Sequence, residues 1–221
     1  MKGPPDPGRW NLYVVSDRRL SGGRSHLEVA RLAFEGGAEV FQIRDKEMSP
    51  GEIYKESLSI VSLSKKLGRL TIVNDRIDIA VAVKAAGAHV GWDDFDYLAA
   101  REVLPRDYLL GCSVGNLEEL EAAVSAGADY LGVGPVFEAR GTKPDAGEPV
   151  GLTFIEEVRK RTDLPIVAIG GITAENAPSV IRAGADCVAV VSAVVASPDI
   201  AKAARKIREA VLQAKGKMPK H

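Results

Sequence analysis

Gln42, Arg44 and Lys46 stand at i, i+2 and i+4, directly after the apolar pair Val40-Phe41. On an extended chain these three side chains share one face. Two cations and an amide facing one way at the end of a buried strand make an anion receptor. Arginine grips phosphate oxygens in pairs, and lysine adds a point charge. The plainer alternative is a solvated polar turn. Later strand ends also carry groups suited to chemistry, and they weigh against it. Asn74-Asp75 and Asp94 follow two neighbouring strands, where a carboxylate pair can share a hard cation such as Mg²⁺. Each of these aspartates could equally cap a helix. Ser113 closes another strand. The loop over residues 138–149 brings Thr142 and Lys143. Gly170-Gly171 opens a helix, so backbone N–H groups and the helix dipole can receive phosphate there. Val191-Ser192 adds a small hydroxyl-bearing turn after the last strand. No nucleophilic triad is evident. His89 reads as structural, His26 as a loop or helix start, and His221 is terminal.

These groups need a frame that brings strand ends together. Apolar runs predict strands at 12–15, 40–41, 70–73, 89–90, 108–113, 130–133, 165–169 and 187–191. Helices are expected between them, at about 27–33, 50–67, 77–86, 95–103, 117–126, 152–161, 173–183 and 198–213. Alternation of this kind implies parallel strands joined by helical crossovers. Gly36-Gly37-Ala38-Glu39, Gly87-Ala88-His89, Gly127-Ala128-Asp129 and Gly184-Ala185-Asp186 recur before strands. Glycine at such a place ends a helix through a left-handed residue, so the repeat marks the end of the frame opposite the chemistry. The expectation is a single (β/α)8 TIM barrel with eight parallel strands over residues 11–213. Residues 1–10 read as a flexible leader and 214–221 as a basic tail. An open doubly wound sheet is the alternative, but no G-x-G-x-x-G stands near the N-terminus. In a barrel, the strand ends above converge on one face.

Composition agrees. Of 221 residues, 46% are hydrophobic and only 5% aromatic, as expected for buried parallel strands under Ala/Leu helices. The net charge of -1 argues against a nucleic-acid surface but allows a local anion pocket. Cys112 and Cys187 sit in apolar runs without metal-ligand spacing. They read as buried hydrophobes in a reducing, cytoplasmic compartment. No segment is long and apolar enough for a membrane span.

The ordered set of motifs resembles the thiamine-phosphate synthase family from Leu12 to about Lys206. The resemblance is carried by Gln42-Ile43-Arg44-Asp45-Lys46, Val73-Asn74-Asp75-Arg76, Gly87-Ala88-His89-Val90-Gly91 with Asp94, Gly111-Cys112-Ser113, Gly132-Val133-Gly134-Pro135-Val136-Phe137, Thr142-Lys143, Ala168-Ile169-Gly170-Gly171-Ile172 and Val191-Ser192. It implies a transferase that couples hydroxymethylpyrimidine pyrophosphate to a thiazole phosphate, giving thiamine phosphate and pyrophosphate. By the same resemblance, Gln42, Arg44, Lys46, Asn74, Ser113 and Lys143 hold the pyrimidine pyrophosphate, with Lys46, Ser113 and Lys143 catalytic. Asp75 and Asp94 hold Mg²⁺, and Thr142, Gly171, Val191 and Ser192 hold the thiazole phosphate. The implied partners are these two small molecules, with no nucleic acid or membrane, and a homo-oligomer is left open.

Three departures stand out. The loop reads Glu138-Ala139-Arg140-Gly141-Thr142-Lys143, one residue longer than the usual family pattern and without its first threonine. Trp92 replaces a common glutamine. Gly115 stands where many members have histidine. A related thiazole tautomerase has that histidine and tends to lack the acid matching Asp75, which makes it the weaker reading. A non-catalytic sensor of a phosphorylated metabolite is the alternative from another class.

Overall fold

Eight short strands, each buried on both faces, form the centre of the molecule. They are β1 (Leu12–Val15), β2 (Val40–Ile43), β3 (Leu70–Asn74), β4 (Gly87–Val90), β5 (Leu109–Val114), β6 (Tyr130–Val133), β7 (Ile166–Ile169) and β8 (Cys187–Val190). The structure is a computed structural model and describes residues 6–138 and 147–216. Every strand pairs in parallel with the next, and β8 returns to β1 through Leu12↔Val188, closing the barrel. The (β/α)8 expectation therefore holds. The helices are α1 (His26–Glu35), α2 (Pro50–Lys66), α3 (Ile77–Ala82), α4 (Tyr97–Val103), α5 (Leu117–Ser125), α6 (Gly151–Arg161), α7 (Ala177–Arg182), α8 (Ser192–Val195) and α9 (Ile200–Gly216). α8 is an element that the apolar pattern does not predict: a single turn that follows β8 directly, with Ser192 as its first residue. Among the described residues no helix is long and apolar enough to cross a membrane.

Side chains alternate across each strand, so the chain builds two cores. The outward one packs strands against helices, with Phe41, Ile43, Leu131 and Ile60 fully buried. The inward one fills the lower barrel with Tyr13, Val40, Ile72, Leu109, Tyr130 and Val167. Trp10 closes its floor against Tyr130, with ring centroids 5.3 Å apart, following a short 3-10 turn at Pro7–Arg9. The end of the segment read as a leader is thus part of the barrel. Local signals agree with the long helices. α2 starts with Pro50 behind a reciprocal Ser49–Glu52 capping box, which satisfies two otherwise orphaned N–H groups.

The lower junctions carry a repeated clamp. Asp129 Oδ2 accepts from the Leu110 N–H and from Arg101, whose guanidinium also donates to the carbonyls of Leu104 and Pro105. Asp186 and Arg159 repeat the arrangement with the Ile166 N–H and the Thr162 and Leu164 carbonyls. Glu39 accepts from the Leu12 N–H and from Arg208. Gly37, Gly127 and Gly184 precede these acids with positive φ, as the repeat predicts. The fourth copy is a correction. Gly87 is not a helix end: α3 stops at Ala82, and the left-handed residue is Lys84, with φ 54°. Gly87 already belongs to β4, where a Cβ would lie 2.0 Å from the Leu109 carbonyl oxygen. His89 therefore lies higher in the barrel than a strand opening would put it.

Candidate active site

Above the inner core, the strand ends enclose one cavity of about 480 Å³. Gln42, Arg44, Lys46, Asn74, Asp94, Ser113, Gly171, Val191 and Ser192 all line it. They come from six different strand ends, and barrel closure brings them together. Asp75 stands beside the wall, in contact with Lys46. Thr142 and Lys143 lie outside the described residues, as does Arg140. The flanks of that segment border the cavity, with Pro135 on one side and Gly147, Glu148 and Val150 on the other.

Arg44 and Lys46 are carried by a tightly held turn. Ser16 Oγ accepts from the Arg44 N–H at 3.0 Å. Asp45 points away from the cavity. Its Oδ1 accepts from the Glu47 and Met48 N–H groups, and its Oδ2 lies 3.0 Å from His26 Nε2. Burial by itself would raise Asp45, but the Glu47 N–H and His26 outweigh it and hold the carboxyl below its usual range. His26, which the sequence reads as a loop or helix start, is thus a buried anchor of this turn.

Neither aspartate of the expected pair caps a helix. Arg76 precedes α3 without a side-chain cap bond, and Asp96 caps α4. Asp75 is instead held in a left-handed conformation, φ 57°, by its N–H on the His89 carbonyl. That conformation is uncommon for a non-glycine residue, and such residues cluster at functional sites. Lys46 Nζ lies 2.9 Å from Asp94 Oδ1 and 3.8 Å from Asp75 Oδ2. Gly91 leaves the space Asp94 needs, since a Cβ there would meet its Oδ2 at 2.6 Å. Burial first, and then the Asp94 carboxylate, raise Asp75 to about 6 despite Lys46 and Arg44. Asp75 Oδ1 is buried, with no hydrogen-bond partner among the described residues.

Across the cavity, Gly170 and Gly171 both have positive φ and lie against the start of the β6–α6 loop. Added Cβ atoms would meet Pro135 Cα at 2.6 Å and the Glu138 carbonyl oxygen at 2.7 Å. Asn176 fixes the turn by donating to the Gly171 carbonyl and accepting from the Thr173 N–H. Trp92 sits half-exposed at the cavity wall, edge-on to Tyr97, whose hydroxyl donates to the Ser113 carbonyl.

Sequence reasoning missed the cavity floor. Tyr13, Tyr130 and His89 line it beneath Gln42 and Ser113. Enclosure in the barrel pushes His89 down to about 4 and both tyrosine hydroxyls above their ordinary range. The period-2 alternation of Gly87, His89 and Gly91 was the available signal for an inward histidine.

An eight-stranded parallel barrel whose strand ends enclose one cavity, lined by cationic side chains, Asp94 and a glycine turn, has the architecture of a (β/α)8-barrel enzyme. The family model described as thiamine monophosphate synthase matches residues 12–194. The thiamine-phosphate synthase of Chloroflexus aurantiacus is 51% identical over 202 residues, covering 91% of this chain and 93% of the relative. That of Methanoregula boonei is 46% identical over 207 residues, covering 94% and 95%. The solved thiamine phosphate pyrophosphorylase from Pyrococcus furiosus superposes with a TM-score of 0.86 at 37% identity, covering 94% of this chain and 98% of that one. The chain belongs to the thiamine monophosphate synthase family.

Proposed function

We propose that this cavity joins 4-amino-2-methyl-5-hydroxymethylpyrimidine pyrophosphate to 4-methyl-5-(2-phosphooxyethyl)thiazole, releasing pyrophosphate and forming thiamine phosphate. The observation that carries the reading is the Asp75–Lys46–Asp94 cluster at the wall of the cavity that also holds the Gly170-Gly171 turn. The reaction needs two anion sites of different kinds, one for a leaving pyrophosphate and one for a phosphate monoester. In this reading the methylene C–O bond breaks first, and pyrophosphate takes the electron pair. The thiazole nitrogen lone pair then forms the new C–N bond. No protein nucleophile is required, and the absence of a triad among the described residues is compatible with that.

The carboxylate pair suits Mg²⁺. An oxygen-seeking cation answers Asp75 Oδ1, which has no hydrogen-bond partner among the described residues, and those residues hold no group of three or more His, Cys, Asp or Glu that could ligate a metal alone. Two carboxylates plus substrate phosphates and water form a usual Mg²⁺ shell. When bound, the ion neutralises charge developing on the leaving pyrophosphate. Arg44 and Lys46 add donors fixed in advance on the same side, which is the efficient way to stabilise a leaving anion. Lys143 joins them by family likeness. Gln42, Asn74 and Ser113 hold the pyrimidine. Thr142, Gly171, Val191 and Ser192 hold the thiazole phosphate, so the two reactants meet in a fixed orientation.

The test is pyrophosphate release from the pyrimidine pyrophosphate, with each of thiazole phosphate and Mg²⁺ supplied or withheld. Release that needs both, with an equal amount of thiamine phosphate, is expected. Thiazole phosphate binding without any pyrophosphate release sinks the reading and favours a tautomerase or a sensor.

A further inference from the structure

The floor of the cavity holds one continuous hydrogen-bonded chain that crosses the barrel. Gln42 Nε2 donates to Tyr13 Oη at 2.8 Å. Tyr13 Oη and Tyr130 Oη are 3.1 Å apart. Tyr130 Oη is 3.2 Å from His89 Nδ1, and His89 Nε2 is 3.1 Å from Ser113 Oγ. The chain visits β2, β1, β6, β4 and β5 in turn. Both tyrosines are at most 2% exposed and Gln42 4%, so water does not compete along its first half.

The barrel makes room for it. Gly111 and Gly132 are inward positions where a Cβ would strike the chain. At Gly111 it would lie 2.2 Å from Tyr130 Cζ and 2.5 Å from His89 Nδ1; at Gly132, 2.7 Å from His89 Cε1. Two of the eight strands thus give up inner side-chain volume to house these rings.

Each tyrosine hydroxyl has a single proton, so a linear chain has one direction throughout. Gln42 donates to Tyr13, whose proton must then serve Tyr130. The Tyr130 proton serves His89 Nδ1, which leaves the imidazole proton on Nε2, pointing at Ser113 Oγ. The Ser113 proton is released to the cavity, and Gln42 Oε1 is left there as an acceptor. Turning the Gln42 amide over reverses every member: Gln42 would show N–H groups and Ser113 only lone pairs. The polarity of the two ends is therefore coupled.

We propose that Tyr13, Tyr130 and His89 are positioning residues that fix this polarity and thereby select an aminopyrimidine over its 4-oxo counterpart. This rests on the pyrimidine reading of the site. An aminopyrimidine offers N–H donors and bare ring nitrogens, matching an acceptor at Gln42 and a donor at Ser113. The 4-oxo form exchanges the amino donor for a carbonyl and a ring nitrogen for N–H. A buried site with its hydrogen bonds set for one pattern rejects the other, because groups are left unpaired.

The first measurement is the ¹⁵N spectrum of histidine-labelled, ligand-free protein. His89 is expected to carry its proton on Nε2 with Nδ1 accepting. A proton on Nδ1 overturns the proposal. The second compares kcat/KM for the amino and 4-oxo pyrimidine pyrophosphates in wild type, Tyr13→Phe and Tyr130→Phe. The amino preference should fall about tenfold in each variant, the loss expected for one mispaired buried hydrogen bond. In Tyr130→Phe the His89 signal should split between tautomers. Folded variants with the wild-type preference overturn the proposal. A wild type that turns over neither compound counts against the enzymatic reading, while the tautomer, measured without ligand, still decides the chain.

Discussion

The two ends of the barrel use the same residue types to opposite effect. At the bottom, Glu39, Asp129 and Asp186 each accept a strand N–H and an arginine. At the top, Asp75 and Asp94 both approach Lys46, Asp75 is raised to about 6, and its Oδ1 has no hydrogen-bond partner among the described residues. A carboxylate whose bonds are all met holds strands and helices in register. One left short of partners is available to a ligand, and the folded chain bears its cost until the ligand arrives.

The contrast breaks if the top pair proves dispensable. Asp75→Asn or Asp94→Asn should lower Mg²⁺-dependent turnover about 100-fold or more, the scale of losing a preorganised charge at a developing anion. Steady-state rates across a Mg²⁺ titration check this, and an unchanged Mg²⁺ dependence removes the pair from the metal site. The reverse experiment is Asp129→Ala at the bottom. It leaves Arg101, which is 5% exposed, bonded to carbonyls but without its carboxylate, and takes the acceptor from the Leu110 N–H. About 2 kcal/mol of stability should be lost, less than for a fully buried pair because Asp129 is about a third exposed. Urea unfolding should show a lower midpoint, while kcat per folded molecule stays as in wild type. A fall in kcat would mean that the two ends are coupled.

What the sequence made legible follows the same division. The bottom was readable because its signals are local: glycine at 37, 127 and 184 supplies the left-handed residue that ends each helix. The top was readable wherever chemistry-bearing residues stood at a strand end, as at Asp75, Asp94 and Gly171. The single misplaced junction had a physical cause. Gly87-Ala88-His89 imitates the glycine–alanine–acid pattern, while the actual turn is made by Lys84, a residue type that gives no sign of positive φ. That shift hid the inward position of His89. The tyrosines were hidden for a different reason. Tyr13 and Tyr130 are 117 residues apart, and each alone reads as a core strand residue. Only barrel closure brings their hydroxyls together. Asp45, placed within the anion-binding motif, proved to be a buried anchor facing His26.

The smallest effect gives the sharpest form of the comparison. Asp75 has a higher pKa folded, about 6, than its ordinary 3.8. Between those values the folded state holds more proton than the unfolded chain, so ligand-free stability should fall as pH rises from about 4 to 6. The favourable contribution is complete below the lower value and lost through the upper one. Ionised at neutral pH, Asp75 weakens the ligand-free fold. Asp75→Asn should therefore raise stability at pH 7 by about 1 kcal/mol, well below the full linkage value because the side chain keeps contact with water and Lys46. It should also flatten the decline between pH 4 and 6, as read from urea midpoints at each pH. The same variant would then be more stable and nearly inactive, the trade expected where a site is held short of its partners. If Asp75→Asn instead destabilises the ligand-free protein at pH 7, Lys46 already satisfies the pair, and the top of the barrel differs from the bottom only in position.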